Sequence, residues 1–395
     1  MDDIFESTVK FLNNNLDISK LPSSNVKNIE LDDLTVIHCS HQYMFNQYES
    51  DFNESNGTVV LLFCDHYWYG DLSFSGSGDR YTKVSESLVN IINISKKFHD
   101  KRVILVNENF FTSDEMKLYG KIPNNLEMLT SPMTMYDSFI CSYYDNPVID
   151  VGHKTFSEGY HVMCLNNNPR PHRVGVVLYL MYMNLFDNIH VSFVSKERWE
   201  SNVEYTNETI LSFIYPRHNE LRHKLRDLSL EHKFKSTSEY VYDDDEDKHS
   251  SNMDNFFKNL LPKYQNVAIE IITESTSLEY SAHLTEKFVH CVLGKCFPII
   301  IGTVGNVDLY RKLGYDMFDD IIDHSYDSEE NPFYRMKMAI DLNIHILTNK
   351  EMAISMYHEN EHRLDKNISN YYKGYDMVLN DVVGGLYYML NGYSS

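Results

Sequence analysis

The chain has 395 residues, 43% of them hydrophobic and 13% aromatic, with only 10 prolines and 16 glycines. That composition excludes a disordered or collagen-like chain, and the length calls for two domains or one large α/β unit. A formal charge of −22 argues against a general polyanion-binding surface, because nonspecific nucleic-acid affinity comes mostly from Lys and Arg neutralising phosphates.

The N-terminal stretch MDDIFESTVKFLNNNLD is acidic and lacks a continuous apolar segment, so no signal or transit peptide is expected. No stretch approaches the roughly 20 apolar residues of a membrane span. A cytoplasmic setting, or the host cytoplasm for a phage-encoded chain, follows as the expectation. The six scattered cysteines, Cys39, Cys64, Cys141, Cys164, Cys291 and Cys296, read as reduced buried thiols rather than a disulfide framework.

Apolar, strand-like runs recur along the chain: TVIHC (35–39), TVVLLFC (58–64), RVILVN (102–107), YHVMCL (160–165), HVSFVS (190–195), NVAIEIIT (266–273) and CFPIIIG (296–302). Helical patterns such as KVSESLVNIINISKKF and NELRHKLRDLSLEHKF lie between them. This alternation predicts an α/β fold with parallel sheets covered on both faces. The polar segment 142–159 places a domain boundary near 155, giving an N-terminal domain 1–155 and a C-terminal domain 156–395 whose last helices can cross back.

In the N-terminal half, Asp65 follows TVVLLFC and Glu108 follows RVILVN, so each is a candidate carboxylate base at a strand end. Helix capping or loop anchoring is the competing use of such residues. Tyr67, Trp68 and Tyr69 could stack on a sugar or a base, although aromatic residues also serve as core.

In LNNNPRPHRVGVVLYL (165–180) a strand ends near Leu165, prolines 169 and 171 fix a turn, and a helix starts near His172. Arg170 and Arg173 then sit at a helix N-terminus, where cations oppose the dipole unless an anion is bound. Solvated surface arginines are the alternative. Further on, a buried strand ends at Glu274, and Leu284-Thr285-Glu286-Lys287 opens a helix before CFPIIIG. Ligands collect at such strand ends in open α/β sheets. Glutamate suits ribose hydroxyls and lysine suits a diphosphate, while Thr285 and Glu286 could equally cap and charge the helix.

The acidic run Asp243–Asp247 reads as a solvated loop rather than the metal-holding Asp-x-Asp of a buried strand end. No Cys/His quartet has zinc spacing, and GTVGNVDLYRKLG lacks the glycine spacing of a dinucleotide site.

The order Glu274, Leu284-Thr285-Glu286-Lys287, CFPIIIG resembles the donor-binding half of α1,3-fucosyltransferases and exostosin-type glycosyltransferases. With Pro169-Arg170-Pro171-His172-Arg173 upstream and Leu313-Gly314-Tyr315-Asp316 downstream, residues 160–340 look like glycosyltransferase-like proteins of large bacteriophages and giant viruses. The sequence departs from that viral pattern after Lys287, where Val289-His290-Cys291 stands in place of aromatic-Lys-Pro. The resemblance implies a GT-B fold, two Rossmann-like domains facing across a cleft, and a metal-independent, inverting transfer from a UDP- or GDP-linked sugar. It implies that Asn168, Arg170, Arg173, Thr285, Glu286 and Lys287 bind the donor, with the arginines and Lys287 on the diphosphate and Glu286 on the ribose. Glu274 would lie near the sugar as a candidate catalytic group, beside Asp65 and Glu108. Two acceptors are open: hydroxymethylated bases in phage DNA, with the basic segment 216–235 as a phosphate track, or a saccharide or lipid-linked glycan. A degenerate fold that binds nucleotide or glycan without transfer is the competing class.

Overall fold

The computed structural model describes residues 34–38, 52–53, 57–62, 86–107, 119–130, 150–157, 159–166, 171–185, 189–192, 223, 260–274 and 284–391. Two compact units divide the chain, Met1–Asp137 with Lys373–Ser395, and Ser138–Tyr372. Residues 150–157 pack within the second unit: Val151 N–H donates to Leu293 O at 3.0 Å, and Thr155 N–H to Gln265 O at 3.1 Å.

The first unit contains strands β1 (Leu34–His38), β2 (Thr58–Leu62), β3 (Arg102–Asn107) and β4 (Leu126–Thr130), all parallel and ordered β1-β2-β3-β4. Helix α1 (Glu86–Lys97) joins β2 to β3. Its Leu88, Ile91 and Ile92 cluster with Val59, Leu61, Val103 and Leu105. The alternate residues Val60, Ile104 and Val106 are buried as well, so these strands read as continuous apolar runs rather than alternating ones. The short β4, with its Glu127 and Thr130, is not marked by any such run. It is held from outside, by the two-pronged Arg102–Glu127 pair (2.7 and 2.9 Å) and by Asn107 Nδ2 on Thr130 Oγ1 (3.2 Å).

In the second unit β5 (Val162–Leu165), β6 (Ile189–Ser192), β7 (Ile269–Thr273) and β8 (Phe297–Ile301) are parallel, ordered β6-β5-β7-β8. Helix α2 (Pro171–Tyr182) connects β5 to β6, and α3 (Glu286–Leu293) connects β7 to β8. The chain therefore leaves β5 toward one edge and β7 toward the other, which makes a topological switch point between them. Then follow α4 (Asn306–Lys312), α5 (Pro332–Leu342), α6 (Ile344–Thr348) and α7 (Lys350–Asn391), whose residues up to Tyr372 belong to this unit.

One core binds these layers, with Val162, Val176, Leu180, Ile269, Ile271, Ile299, Phe318, Ala339 and Tyr357 in a single buried cluster. Pro298 sits on β8, an edge strand among the described residues, where a missing N–H costs least. That edge is covered by side chains: Ile300 N–H donates to Tyr326 Oη at 2.9 Å, and His324 Nε2 lies 3.0 Å from Pro298 O. The structure confirms the mixed α/β class with parallel sheets. No helix among the described residues is long and apolar enough to cross a membrane.

Candidate functional site at the switch point of the second sheet

Three strands, β5, β7 and β8, end on one edge of the second sheet, and their following residues form a single buried polar network. At β5, Asn166 N–H donates to Ser192 O (3.2 Å), and its Oδ1 accepts from Thr273 Oγ1 (2.7 Å) across the switch point. At β7, Glu274 N–H donates to Ile301 O at 2.9 Å, extending the ladder one residue past the end of β7.

The Glu274 side chain is the hub. It is 1% exposed, and its two oxygens accept from Thr285 Oγ1 (2.5 Å) and Tyr310 Oη (2.7 Å). Burial raises its carboxyl above the ordinary value, opposed by the charge of Lys287 and by those two hydroxyls. Tyr310 in turn is stacked on Phe288, with ring centroids 3.9 Å apart, so α3 and α4 are clamped to the same carboxylate. Gly302 is needed at the end of β8, since a Cβ there would lie 2.7 Å from Asn306 Nδ2 and 3.1 Å from Glu274 Cγ. Asn306 is itself fixed by Thr303 Oγ1 at 2.5 Å.

Thr285 is the N-cap of α3, with extended backbone, and its hydroxyl accepts from Lys287 N–H at 3.4 Å while donating to Glu274. The capping alternative holds for this residue, and it is combined with a tie to the strand end. Glu286 stands in the first turn and pairs with Lys287 at 2.9 Å, both side chains about one-fifth exposed at 17% and 22%. One turn on, burial drives His290 down to about 4, with Glu286 opposing and Lys287 reinforcing the shift.

From the other side, α2 reaches the same strand end. His172 Nε2 lies 2.8 Å from Glu274 O, and Arg173 Nη2 donates to Glu274 O (3.2 Å) and Thr273 O (3.4 Å). Arg173 is 4% exposed, which rules out a solvated surface charge. Its guanidinium is held against two main-chain carbonyls rather than turned outward. Arg173 and Lys287 thus converge on one residue, Arg173 through the carbonyl of Glu274 and Lys287 through the charge of its carboxylate.

Asp65, Glu108, Asn168, Arg170, the aromatic trio 67–69 and the acidic run 243–247 lie outside the described residues, as does the basic segment 216–235 apart from residue 223. Tyr310, Asn306, Asn166 and His172 are members of the network that sequence reading missed. Their common signal is position: each stands within a few residues, or the first turn or two of helix, beyond a strand's C-terminal end.

A cavity of about 750 Å³ opens beside this edge, walled by Gly305, Asp308, Arg311, Asp319, His324 and Asp327 among others. Its size suits a small-molecule ligand, but Asp320 and Asp323 add to the negative wall. Among the described residues no group of three or more His, Cys, Asp or Glu side chains is placed to hold a metal ion. No protein-family model, curated protein or solved structure matches this chain.

Proposed function

We propose that the second unit binds a nucleoside diphosphate sugar and that the protein is a metal-independent, inverting GT-B glycosyltransferase. The observation that carries the reading is the N-terminus of α3, with Lys287 in its first turn, fixed at a topological switch point by the Glu274–Thr285–Tyr310 network. The positive end of the helix dipole at that start and the Lys287 ammonium favour a diphosphate and stabilise it as it departs. The diphosphate belongs there rather than in the neighbouring cavity, whose five aspartates would repel it.

Glu274 acts as a positioning residue in this reading, because both its oxygens are occupied inside the protein. Arg173 holds the strand end from behind and adds positive field. Glu286 is the residue offered to the ribose. The general base falls to Asp65 or Glu108, and the acceptor is a hydroxymethylated pyrimidine in DNA or a saccharide.

A second reading, nucleotide binding without transfer, is favoured by the sealing of Glu274, which leaves this edge without an accessible carboxylate from β7. Calorimetry with UDP, GDP and their sugar conjugates, combined with mass-spectrometric detection of released sugar, tests both. Binding with sugar release supports the enzyme, and binding without it supports the module. Absence of binding to every nucleotide removes both.

A further inference from the structure

At the opposite end of the same sheet, the C-terminus of α3 builds a second chemical site, independent of the nucleotide reading. Helix α3 closes in a Schellman motif. Lys295 takes a left-handed φ of 49°, its N–H donates to Val292 O at 3.0 Å, and Cys296 N–H donates to Cys291 O at 3.0 Å. That motif brings the side chain three residues before the C-cap onto the one two residues after it, usually as an apolar contact. Here the two side chains are Cys291 and Cys296. Both are free thiols, buried at 1% and 2% exposure.

Lys154 hydrogen-bonds one of the two sulfurs, although burial lowers its own ammonium below the ordinary value against the charges of Cys296, Cys291 and Glu270. Lys154 Nζ, itself 2% exposed, donates to Cys296 Sγ at 3.3 Å and to Val267 O. Cys296 Sγ also lies 3.3 Å from Val267 O and Gly294 O, and Cys291 Sγ lies 3.4 Å from Cys296 O. Burial pushes the Cys296 thiol up, but the Cys291 hydrogen bond and the Lys154 charge outweigh it and hold it below its ordinary value. Burial lifts Cys291 well above its own, reinforced by Cys296 and Glu270. Other neighbours are Glu270, which accepts from Tyr264 Oη at 2.9 Å, and the Tyr357 and Phe156 rings, 4.9 and 6.0 Å from Lys154 Nζ. The pair is therefore asymmetric: the Schellman turn sets the two side chains together, and the lysine hydrogen bond falls on Cys296.

We propose that Cys296 and Cys291 form a peroxide-responsive dithiol site, Cys296 attacking the oxidant with Lys154 as its activating cation, and Cys291 resolving the product to a disulfide. The Cys296 thiolate takes one oxygen from hydrogen peroxide, and the proton it had ceded goes to the departing hydroxide, giving sulfenic acid and water. Cys291 sulfur then displaces that hydroxyl, forming the S–S bond and a second water. Two thiols and one peroxide thus become one disulfide and two waters. The linkage ties the end of α3 to the start of β8, across the turn that the Schellman hydrogen bonds already close.

The full-length protein treated with stoichiometric hydrogen peroxide under native conditions should lose ~2 Da, with peptide mapping assigning a Cys291–Cys296 link. Cys291→Ser should stop at a sulfenic acid on Cys296 that dimedone captures, and Cys296→Ser should give no dimedone adduct at Cys291. Lys154→Met should slow the oxidation about tenfold, whereas Lys154→Arg, which keeps the charge, should slow it less. The wild-type measurement decides the matter even where a Lys154 variant fails to fold. Over-oxidation of Cys296 with Cys291 left as a thiol, a Cys296–Lys154 link, or oxidation only after denaturation would each overturn the proposal.

Discussion

Replacing Thr285 with valine isolates the tie on which the whole switch-point edge depends. Valine matches threonine in shape but loses the hydroxyl, and with it two bonds: the N-cap of α3 and the donor to Glu274 Oε2. Loss of an N-cap costs ~1 kcal/mol, and loss of a buried hydrogen bond to a charged acceptor costs ~2 kcal/mol. The expected total is ~3 kcal/mol, concentrated locally because Glu274 is left with a buried, unsatisfied oxygen. Amide hydrogen exchange followed on peptides covering 285–294 reads this without assuming that both units unfold together. Protection there should fall roughly a hundredfold, at a factor of ten per 1.4 kcal/mol. Thr285→Ser keeps the hydroxyl and should stay within about tenfold of wild type. If valine leaves the exchange unchanged, or serine does as much damage as valine, the hydroxyl is not what holds α3 to β7.

Four further outcomes follow from the same geometry. Lys287→Ala should weaken UDP or GDP binding about tenfold by calorimetry, worth ~1.4 kcal/mol, and equal affinity would remove it from the anion site. Glu274 has its carboxyl raised above 4.5, by burial first, against Lys287, Thr285 and Tyr310. Its contribution to stability is complete below that value and lost as pH rises through the raised one, so Glu274→Gln should gain on wild type as pH rises above 4.5 in chemical denaturation. A flat difference would show that the carboxyl does not titrate in that window. Gly294→Ala puts a Cβ 2.1 Å from Tyr264 Cδ1, a fully buried ring, and should cost ~3 kcal/mol; a loss under ~0.5 kcal/mol would mean the ring moves freely. Arg363 grips Asp316 at 2.7 and 2.9 Å and, against burial, holds that carboxyl below 3.8. The stability it contributes is present above that value and lost as pH falls through the lowered one, so Arg363→Ala should flatten the acid limb of the unfolding profile, and an unchanged limb would contradict the pairing.

Much of the secondary structure was legible from short-range signals. RVILVN predicts β3 residue for residue, and Pro169 and Pro171 place the start of α2 within a residue. In NVAIEIIT and CFPIIIG the strands begin one to three residues later than the apolar runs, because Asn266–Ala268 and Cys296 belong to the preceding turn and cap. β4 escaped notice because LEMLT carries its strand identity in partners outside itself, Arg102 and Asn107.

The site divides the same way. Thr285-Glu286-Lys287 at a helix start and Glu274 at a strand end are visible in order along the chain, since capping and strand termination are local events. Tyr310, 36 residues from Glu274, carries no local mark of its role. Nor does Arg173: its charge is plain in the sequence, but its burial against the carbonyls of Thr273 and Glu274 is set a hundred residues away. The sequence by itself determined the parallel α/β class, the positions of most strands to within a few residues, and that Glu274 and Thr285 stand at a strand end and a helix start, all consequences of apolar patterning and backbone chemistry. Only the tertiary structure decided that β5 and β7 are neighbours, that Glu274 faces inward, and that Lys154 meets Cys296. Those contacts depend on the order of strands in the sheet, which no local preference encodes.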